Sequence, residues 1–413
     1  RNEPLFSFIV PVYRPPLRHL ERCLKSLLAQ TFTSYEVVLA PDGPQPGDVM
    51  DLLKRYESRR PGVVVVPPES GRAGISAASN RAAAAARGEW LVFVDHDDLV
   101  GPRMLESMAA FSGQDAGLLY TDEDKLIGPL HHTPFVKPDA SLHNIMACNY
   151  YSHCRAIRRT ALDRTGGHDS RFDGSQDYDL ELRVIKAGFR VVRVPGIFYH
   201  WRMSFQSTAL RSGAKPQAYS AAMRALEQAF PDREFREVEK QPGFYLWRMR
   251  RAGELVFYGV TRQGVREFTW RDGAIQGSEP RDRLPAGEED RFVLHAPMFE
   301  PEALRSSGFL DRACGYFDPA AATVSFRIGS PLGLLAGGIN AFDGHLWYAG
   351  ARRHMGLHRV AWECGHPNPF LFAAPLGPYR RFAPPAGPPD IGSYLRGLPA
   401  DEAAVHLDVP VSV

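Results

Sequence analysis

Trp90-Leu91-Val92-Phe93-Val94-Asp95-His96-Asp97-Asp98 is the stretch on which the fold turns. Its first five residues are apolar and the run is brief, as in a strand buried on both faces of a parallel sheet. That strand runs straight into three carboxylates. Carboxylates crowded at a strand end repel one another and cost stability unless a cation or hydrogen-bond donors compensate. Their hard oxygens suit Mg²⁺ or Mn²⁺, and such a cation can bridge to a diphosphate and neutralise its charge as it leaves. The rival explanation is an ordinary acidic loop. Position weighs against it, because the cluster ends the fourth strand of an alternating α/β unit.

Upstream, the brief apolar runs Phe6–Val12, 36–40 and 63–66 have the same texture. Between them Leu17, Leu20, Leu24, Leu27 and Leu28 recur at helical spacing, as do Val49, Leu52, Leu53 and Tyr56. An alanine-rich insert over 77–86 ends at Gly88, a plausible helix stop. Strict alternation of strand and helix implies right-handed crossovers and a mostly parallel sheet with helices on its faces. Such sheets bind ligands at the carboxyl ends of their strands. Residues near Tyr13, Asp42, Arg72 and Asp95 are therefore expected to converge.

Downstream the pattern is mixed. A helix is expected near 103–111, then a loop-rich stretch over 120–149, a helix over 178–187, strands at 191–194 and 197–200, and a helix at 217–230. The polar segment 231–243 reads as a boundary. From Phe244 short aromatic and β-branched runs, such as 254–260, 291–294, 323–328 and His345–Ala349, alternate with Gly, Pro and Asp. That is the texture of an antiparallel β domain. The expected organisation is an α/β domain over 1–235 and a β-rich accessory domain over 236–413, with a proline-rich loop at 384–389.

The 413 residues are 44% hydrophobic and 23% charged, with a net charge of +2. So small a surplus argues against nucleic acid as the main partner. No apolar run approaches the roughly 20 residues that span a bilayer. Five scattered cysteines without a CxxC pair fit a reducing compartment better than a disulfide framework. The chain opens on Arg1 with a strand almost at once, so further domains of a longer polypeptide are expected.

The motifs together resemble the family 2 inverting glycosyltransferases, whose domain has the GT-A (nucleotide-diphospho-sugar transferase) fold, over roughly residues 5–235. The resemblance is carried by Phe8-Ile9-Val10-Pro11-Val12-Tyr13, by Cys23-Leu24-Lys25-Ser26-Leu27-Leu28-Ala29-Gln30-Thr31, and by the strand ending at Asp42-Gly43. It continues through Gly71-Arg72-Ala73-Gly74-Ile75-Ser76, Asn80 and Gly88-Glu89 into the aspartate cluster. Each is weak alone; in this order and spacing they are specific. Tyr120-Thr121-Asp122-Glu123-Asp124-Lys125, then Lys137-Pro138-Asp139, looks like the subgroup that assembles bacterial surface polysaccharides, of O-antigen or capsule type.

The resemblance implies that Pro11, Val12 and Tyr13 border the nucleotide base, that Asp42 accepts a hydrogen bond from it, and that Arg72 reaches base or phosphates. It implies Asp95 near the ribose and Asp97 on the metal. Pro41 stands where the family usually has the first of two acids, which leaves uridine unfavoured over other bases. Gly174-Ser175-Gln176-Asp177-Tyr178-Asp179 looks like the family's Glu-Asp motif with Gln176 replacing Glu, and Asp177 matches the catalytic base. Inverting transfer needs such a base to take the acceptor hydroxyl's proton. Asp179 has a simpler role, since an acid in a helix's first turn favours the macrodipole. In Tyr199-His200-Trp201-Arg202 the matching His joins the metal in some members, and Arg202 is placed to meet the diphosphate. His200 also suits Mn²⁺ by ligand type, though a backbone-satisfied histidine explains it equally well. Asp122, Glu123 and Asp124 are expected to flank the acceptor.

The implied activity is Mn²⁺- or Mg²⁺-dependent transfer of a hexosyl, N-acetylhexosaminyl or rhamnosyl group. The donor is a UDP- or dTDP-sugar and the acceptor a hydroxyl of a growing or lipid-linked glycan. The expected location is cytoplasmic, at the inner face of the cell membrane, with at most peripheral contact. Two other classes compete: a scaffold that kept the fold and lost activity, against which Asp97 and Asp177 speak, and a nucleotidyltransferase. The latter usually wants a Gly-rich phosphate loop where this chain has Tyr13-Arg14-Pro15-Pro16. In the C-terminal part His354, His358, Cys364 and His366 are zinc-ligand types, but their flanks look like strands rather than a helix presenting an i, i+4 pair. Trp347, Tyr348 and Trp362 suit a sugar platform, though aromatics in β domains are more often core.

Overall fold

The computed structural model describes residues 3–283 apart from 114, 204–215, 239–240, 251–253, 262 and 272–273; beyond 283 it describes only separate strand segments. The chain divides into two compact units, Arg1–Ser141 with Asn149–Phe230, and Leu142–Cys148 with Pro231–Val413.

The first unit alternates β1 (Phe6–Val12), α1 (Leu17–Leu27), β2 (Tyr35–Pro41), α2 (Gly47–Arg59), β3 (Val63–Val65), α3 (Ile75–Ala85) and β4 (Trp90–Phe93). Then follow β5 (Leu99–Val100), α4 (Met104–Ser112), β6 (Ala116–Ile127) and β7 (Leu130–Phe135). After α5 (Leu142–Ala147), which belongs to the second unit, come β8 (Arg155–Arg158), α6 (Arg159–Thr165), α7 (Gln176–Lys186), β9 (Arg190–Arg202) and α8 (Pro216–Ala229). One sheet runs β3-β2-β1-β4-β8-β6-β9-β5, with β7 on β6. It is parallel from β3 to β4 and mixed beyond, β8 lying antiparallel between β4 and β6. β1 is bracketed by β2 and β4, so the chain reverses its winding between β1 and β4. That reversal opens a crevice at the strand ends, the usual ligand site of such sheets.

The core follows from the apolar runs. Phe6, Phe8, Val10 and Val12 of β1, Leu20, Leu24 and Leu27 of α1, and Trp90 and Val92 of β4 share one buried cluster. α3 turns Ala78 and Ala82 inward, and small residues let it lie close to the sheet. Two glycines permit close backbone approach. A Cβ on Gly88 would meet the Ser7 Oγ at 2.5 Å. Gly43, at φ +70°, lies where a Cβ would come 2.8 Å from the backbone nitrogen of Arg72.

Three expectations change. The stretch read as loop over 120–149 is instead strand β6, hairpin strand β7 and α5. The two short strands at 191–194 and 197–200 are the single strand β9, pairing with β6 along its length. The polar segment 231–243 contains β10 (Arg233–Val238) and enters β11 (Gln241–Met249), which pair antiparallel.

In the second unit β12 (Glu254–Thr261), β13 (Gly264–Arg271) and β14 (Ala274–Arg281) form an antiparallel meander. Tyr245, Trp247, Phe257, Phe268 and Trp270 are buried in this unit, and Phe257 stacks on Phe268 at 5.2 Å. Here the aromatics are core. His354, His358 and His366, the proline-rich loop, and the side chains of Trp347, Tyr348, Trp362 and Cys364 lie outside the described residues. Among the described residues no helix is long and apolar enough to cross a membrane.

Candidate active site

A pocket opens at the reversal between β1 and β4, lined by Pro11 from β1, Val94 and Asp95 after β4, Ser79 from α3, Asp177 from α7, Tyr199 from β9, and His153 and Arg155 at the start of β8. The two acidic signals, 82 positions apart in the chain (177 − 95), meet in this one crevice.

The aspartates after β4 divide the work. Asp98 is buried and accepts hydrogen bonds from the Tyr199 hydroxyl at 2.6 Å and the Arg202 backbone N–H at 2.6 Å. Burial and the neighbouring Asp95 and Asp97 push its carboxyl well above the usual range. Asp95 is 43% exposed at its side chain, and its Oδ2 lies 3.9 Å from the His153 Nε2. Burial of the turn, then the Asp177 and Asp97 charges, raise its carboxyl against the pull of His153. The Asp97 carboxylate has no hydrogen bond or ion pair with any described residue, while the Arg202 Nε donates to its backbone carbonyl at 2.6 Å. Arg202 thus holds the turn that presents Asp97. The His96 Nδ1 lies 3.0 Å from the Pro11 carbonyl and ties the same turn to β1.

At the ends of β1 and β2, Tyr13, Asp42 and Arg72 come together. The Arg72 guanidinium lies 4.2 Å from the Tyr13 ring centroid, and its Nε is 3.4 Å from the Asp42 Oδ2. Asp42 is buried, and its Oδ1 accepts from the Ala73 and Gly74 backbone N–H groups at 2.8 and 3.1 Å. It anchors the loop that enters α3 and leaves Oδ2 toward Arg72. Val12 is wholly buried, Pro11 is half-buried and Tyr13 is the exposed member of that trio.

Asp177 sits in the first turn of α7 with Arg155 Nη2 on its Oδ1 and the His168 Nε2 at 3.2 Å. Burial alone would raise this carboxyl, but Arg155 and His168 outweigh it and hold it well below the usual carboxylate range. Beneath it the wholly buried Glu181 lies 3.4 Å from the Arg155 Nε, and burial pushes Glu181 up to about 8. Asp179 pairs with Arg183 four residues on, which serves the helix and not the pocket.

Asp122, Glu123 and Asp124 lie in strand β6 and not in a loop. They are buried in β6, and each has a partner. Asp122 accepts from the Arg193 Nη2 at 2.8 Å and from the Lys137 and Gly196 backbone N–H groups. Glu123 meets the fully buried Lys137 Nζ at 3.1 Å and accepts from the His153 backbone N–H; Lys137 and His153 outweigh burial and hold it at about 2. The Oδ1 of Asp124 lies 2.7 Å from the His200 Nδ1. Asp124, His131 and His200 are the group of three metal-capable side chains among the described residues, and Asp97 is outside it.

His153, Arg155, His168 and Glu181 were not anticipated from sequence. No periodicity or spacing marks them. A basic residue within reach of a catalytic carboxylate is a tertiary fact, and only the need to compensate buried Asp177 hinted at one.

Residues 7–166 match the family described as Glycosyl transferase family 2. The chain is 34% identical over 233 residues to the uncharacterized protein y4gI of Sinorhizobium fredii, covering 55% of this chain and 26% of that protein. It is 32% identical over 230 residues to the O-antigen biosynthesis protein RfbC of Myxococcus xanthus, covering 55% and 18%. It therefore spans about a quarter or less of the length of these relatives. The solved structure of S. aureus TarS 1-349 in complex with UDP-GlcNAc aligns at TM-score 0.46 and 20% identity, over 55% of this chain and 66% of that one. A strand opening the sheet, a reversal after it, and an aspartate turn at the reversal all fall within residues 7–166, the part of the chain that is similar to glycosyl transferase family 2.

Proposed function

We propose that the first unit transfers a sugar from a nucleoside-diphosphate sugar to a hydroxyl of a growing glycan, with inversion at the anomeric carbon. The observation that carries this reading is the meeting of Asp95 and Asp177 in one pocket beside a turn whose Asp97 carboxylate has no described partner. The Tyr13–Arg72–Asp42 cluster receives the nucleotide base, with the Arg72 guanidinium available to base or phosphate. Asp97 and the adjacent turn offer the hard oxygens that Mg²⁺ or Mn²⁺ prefers. Such a cation, when bound, neutralises charge developing on the departing diphosphate. Arg202 keeps the Asp97 backbone in place for it.

In the reaction the acceptor oxygen attacks the anomeric carbon, the bond from that carbon to the diphosphate breaks, and the hydroxyl proton passes to Asp177. Arg155 and His168 keep Asp177 ionised at physiological pH, so it is always ready to accept. The same contacts lower its basicity. Transfer to it is therefore favourable only as the attacking hydroxyl acidifies in the transition state, which is where general-base help counts.

The family match and the O-antigen relative support a bacterial surface polysaccharide or a lipid-linked glycan as acceptor, with a hexose, an N-acetylhexosamine or rhamnose as the sugar on UDP or dTDP. The reading extends to a catalytic domain over 1–235, an accessory domain over 236–413 that grips acceptor or packs on further domains, and work at the inner face of the cell membrane. Donor hydrolysis across a panel of nucleotide sugars with Mn²⁺ tests it. One or two donors should be cleaved, and only with a divalent cation; a protein that binds and cleaves none of them is not this transferase.

A further inference from the structure

Asp124, His131 and His200 meet from three different strands, β6, β7 and β9. The two carboxylate oxygens of Asp124 are shared out, Oδ1 to the His200 Nδ1 at 2.7 Å and Oδ2 to the His131 Nδ1 at 2.8 Å. The imidazoles stand edge to face with centroids 4.5 Å apart. One nitrogen from each ring and a carboxylate oxygen all lie within 4.8 Å of one another. None of the three is among the residues that line the pocket at the β1–β4 reversal.

We propose that Asp124, His131 and His200 form a second cation site, distinct from the Asp97 turn, that takes a borderline divalent ion of the Zn²⁺ class and clips the β6–β7 hairpin to β9. The donor set decides the ion. Two imidazoles and one carboxylate suit zinc and its neighbours, whereas Mg²⁺ and Ca²⁺ prefer all-oxygen cages. Ligands at roughly 2.0–2.2 Å from a tetrahedral zinc stand roughly 3.3 Å apart, so the two nitrogen–oxygen contacts open by about half an ångström while the widest pair of the three, within 4.8 Å, closes toward that spacing. His131 can supply that movement. It is 53% exposed, on a strand that pairs with β6 and ends the sheet there, next to a turn at Gly128 with φ +61°. Its exposure also leaves the remaining coordination positions open to water. Asp124 and His200 are less exposed, at 9% and 18% of their side chains, and are already oriented by cross-strand pairing. The Asp124 carboxylate hydrogen-bonds both rings and so holds the three side chains together.

This proposal stands apart from the transferase reading and needs no activity to test. The full chain, stripped with EDTA, is titrated with ZnCl₂ by calorimetry and followed by thermal unfolding. His131→Ala should lose one equivalent of zinc, or bind it at least about 10-fold more weakly, the scale of removing one supporting group at a zinc site. Asp97→Ala should keep that equivalent. In zinc the wild type should melt higher than in EDTA by more than His131→Ala does. If His131→Ala is itself less stable in EDTA, His131→Gln, which keeps a donor toward Asp124, replaces it and must still lose the equivalent. Unchanged zinc stoichiometry and affinity in the His131 variant overturn the site. Loss of the same equivalent in Asp97→Ala overturns its separateness.

Discussion

Two acidic triplets lie 27 positions apart in this chain, counting from Asp95 to Asp122, and the fold treats them oppositely. Asp95, Asp97 and Asp98 follow a strand out of the sheet, where one carboxylate is buried and satisfied, one is half exposed, and Asp97 meets no described partner. Asp122, Glu123 and Asp124 stay within a strand, where Arg193, Lys137, His131 and His200 answer them. Both are three carboxylates; the backbone's path makes the difference. A carboxylate inside a sheet must be compensated by protein at folding. One at a strand's end can stay in water until a ligand or cation arrives.

The largest effect that separates the triplets is on turnover. Asp97→Ala should lower transfer by about 10³-fold or more, about 4 kcal/mol of transition-state stabilisation, and weaken Mn²⁺-dependent binding of nucleoside diphosphate. Its unfolding free energy should move by less than about 0.5 kcal/mol, because no described side chain loses a partner. Calorimetry with and without Mn²⁺ reads the first effect and urea unfolding the second. Undiminished metal-dependent binding would remove Asp97 from the site.

The reverse is expected at Asp122. Asp122→Ala leaves the Arg193 guanidinium and two backbone N–H groups without their acceptor. Breaking a mostly buried pair from one side costs about 3 kcal/mol. The unfolding midpoint should fall accordingly, and any activity that survives should show the wild-type metal requirement. A variant of normal stability with a changed metal requirement would place Asp122 among the functional carboxylates after all.

Next in size is Asp177, which has features of both triplets, being compensated by Arg155 and yet lining the pocket. Asp177→Asn keeps the size and removes proton acceptance. Turnover should fall at least about 10²-fold while donor affinity stays within a few-fold. Near-normal turnover would hand the base role to another pocket group, Asp95 first.

This contrast also marks what could be read from the sequence. Strands β1, β2 and β4 were legible because they are buried almost throughout, so their runs are mostly apolar. The aspartate turn was legible because it follows such a run directly. β6 was not, because Thr121-Asp122-Glu123-Asp124-Lys125 breaks the apolar pattern and reads as loop. Its partners stand far off in the chain, Arg193 being 71 positions from Asp122. No local rule pairs them. The same distance hid Arg155 and His168, so Asp177 was recognisable as a base while the groups that set its proton affinity were not.

The smallest effect tests the residue that touches both triplets. His153 places its Nε2 3.9 Å from the Asp95 Oδ2 and its Nδ1 3.8 Å from the Glu123 Oε2, and its ring stacks on Tyr199. Burial alone would lower its pKa, but Glu123, then Asp95 and Asp98, outweigh burial and raise it to about 9. A histidine raised in the folded state contributes stability that is fully present below its unfolded value near 6.5 and is lost as pH climbs through about 9. Glu181, raised to about 8, gives a slope of the same sign that runs through pH 8, and buried Asp98 adds to it. The difference between the wild type and a His153 variant therefore isolates the histidine's share. With a quarter of its side chain exposed, its share is about 1 kcal/mol after solvent screening. Urea midpoints at pH 6, 7, 8 and 9 should fall more steeply for the wild type than for His153→Gln, and the gap should close above pH 9. Parallel curves would mean that His153 is neutral in the folded protein. The two triplets would then not be linked through a cation, and Glu123 would depend on Lys137 and the His153 backbone N–H.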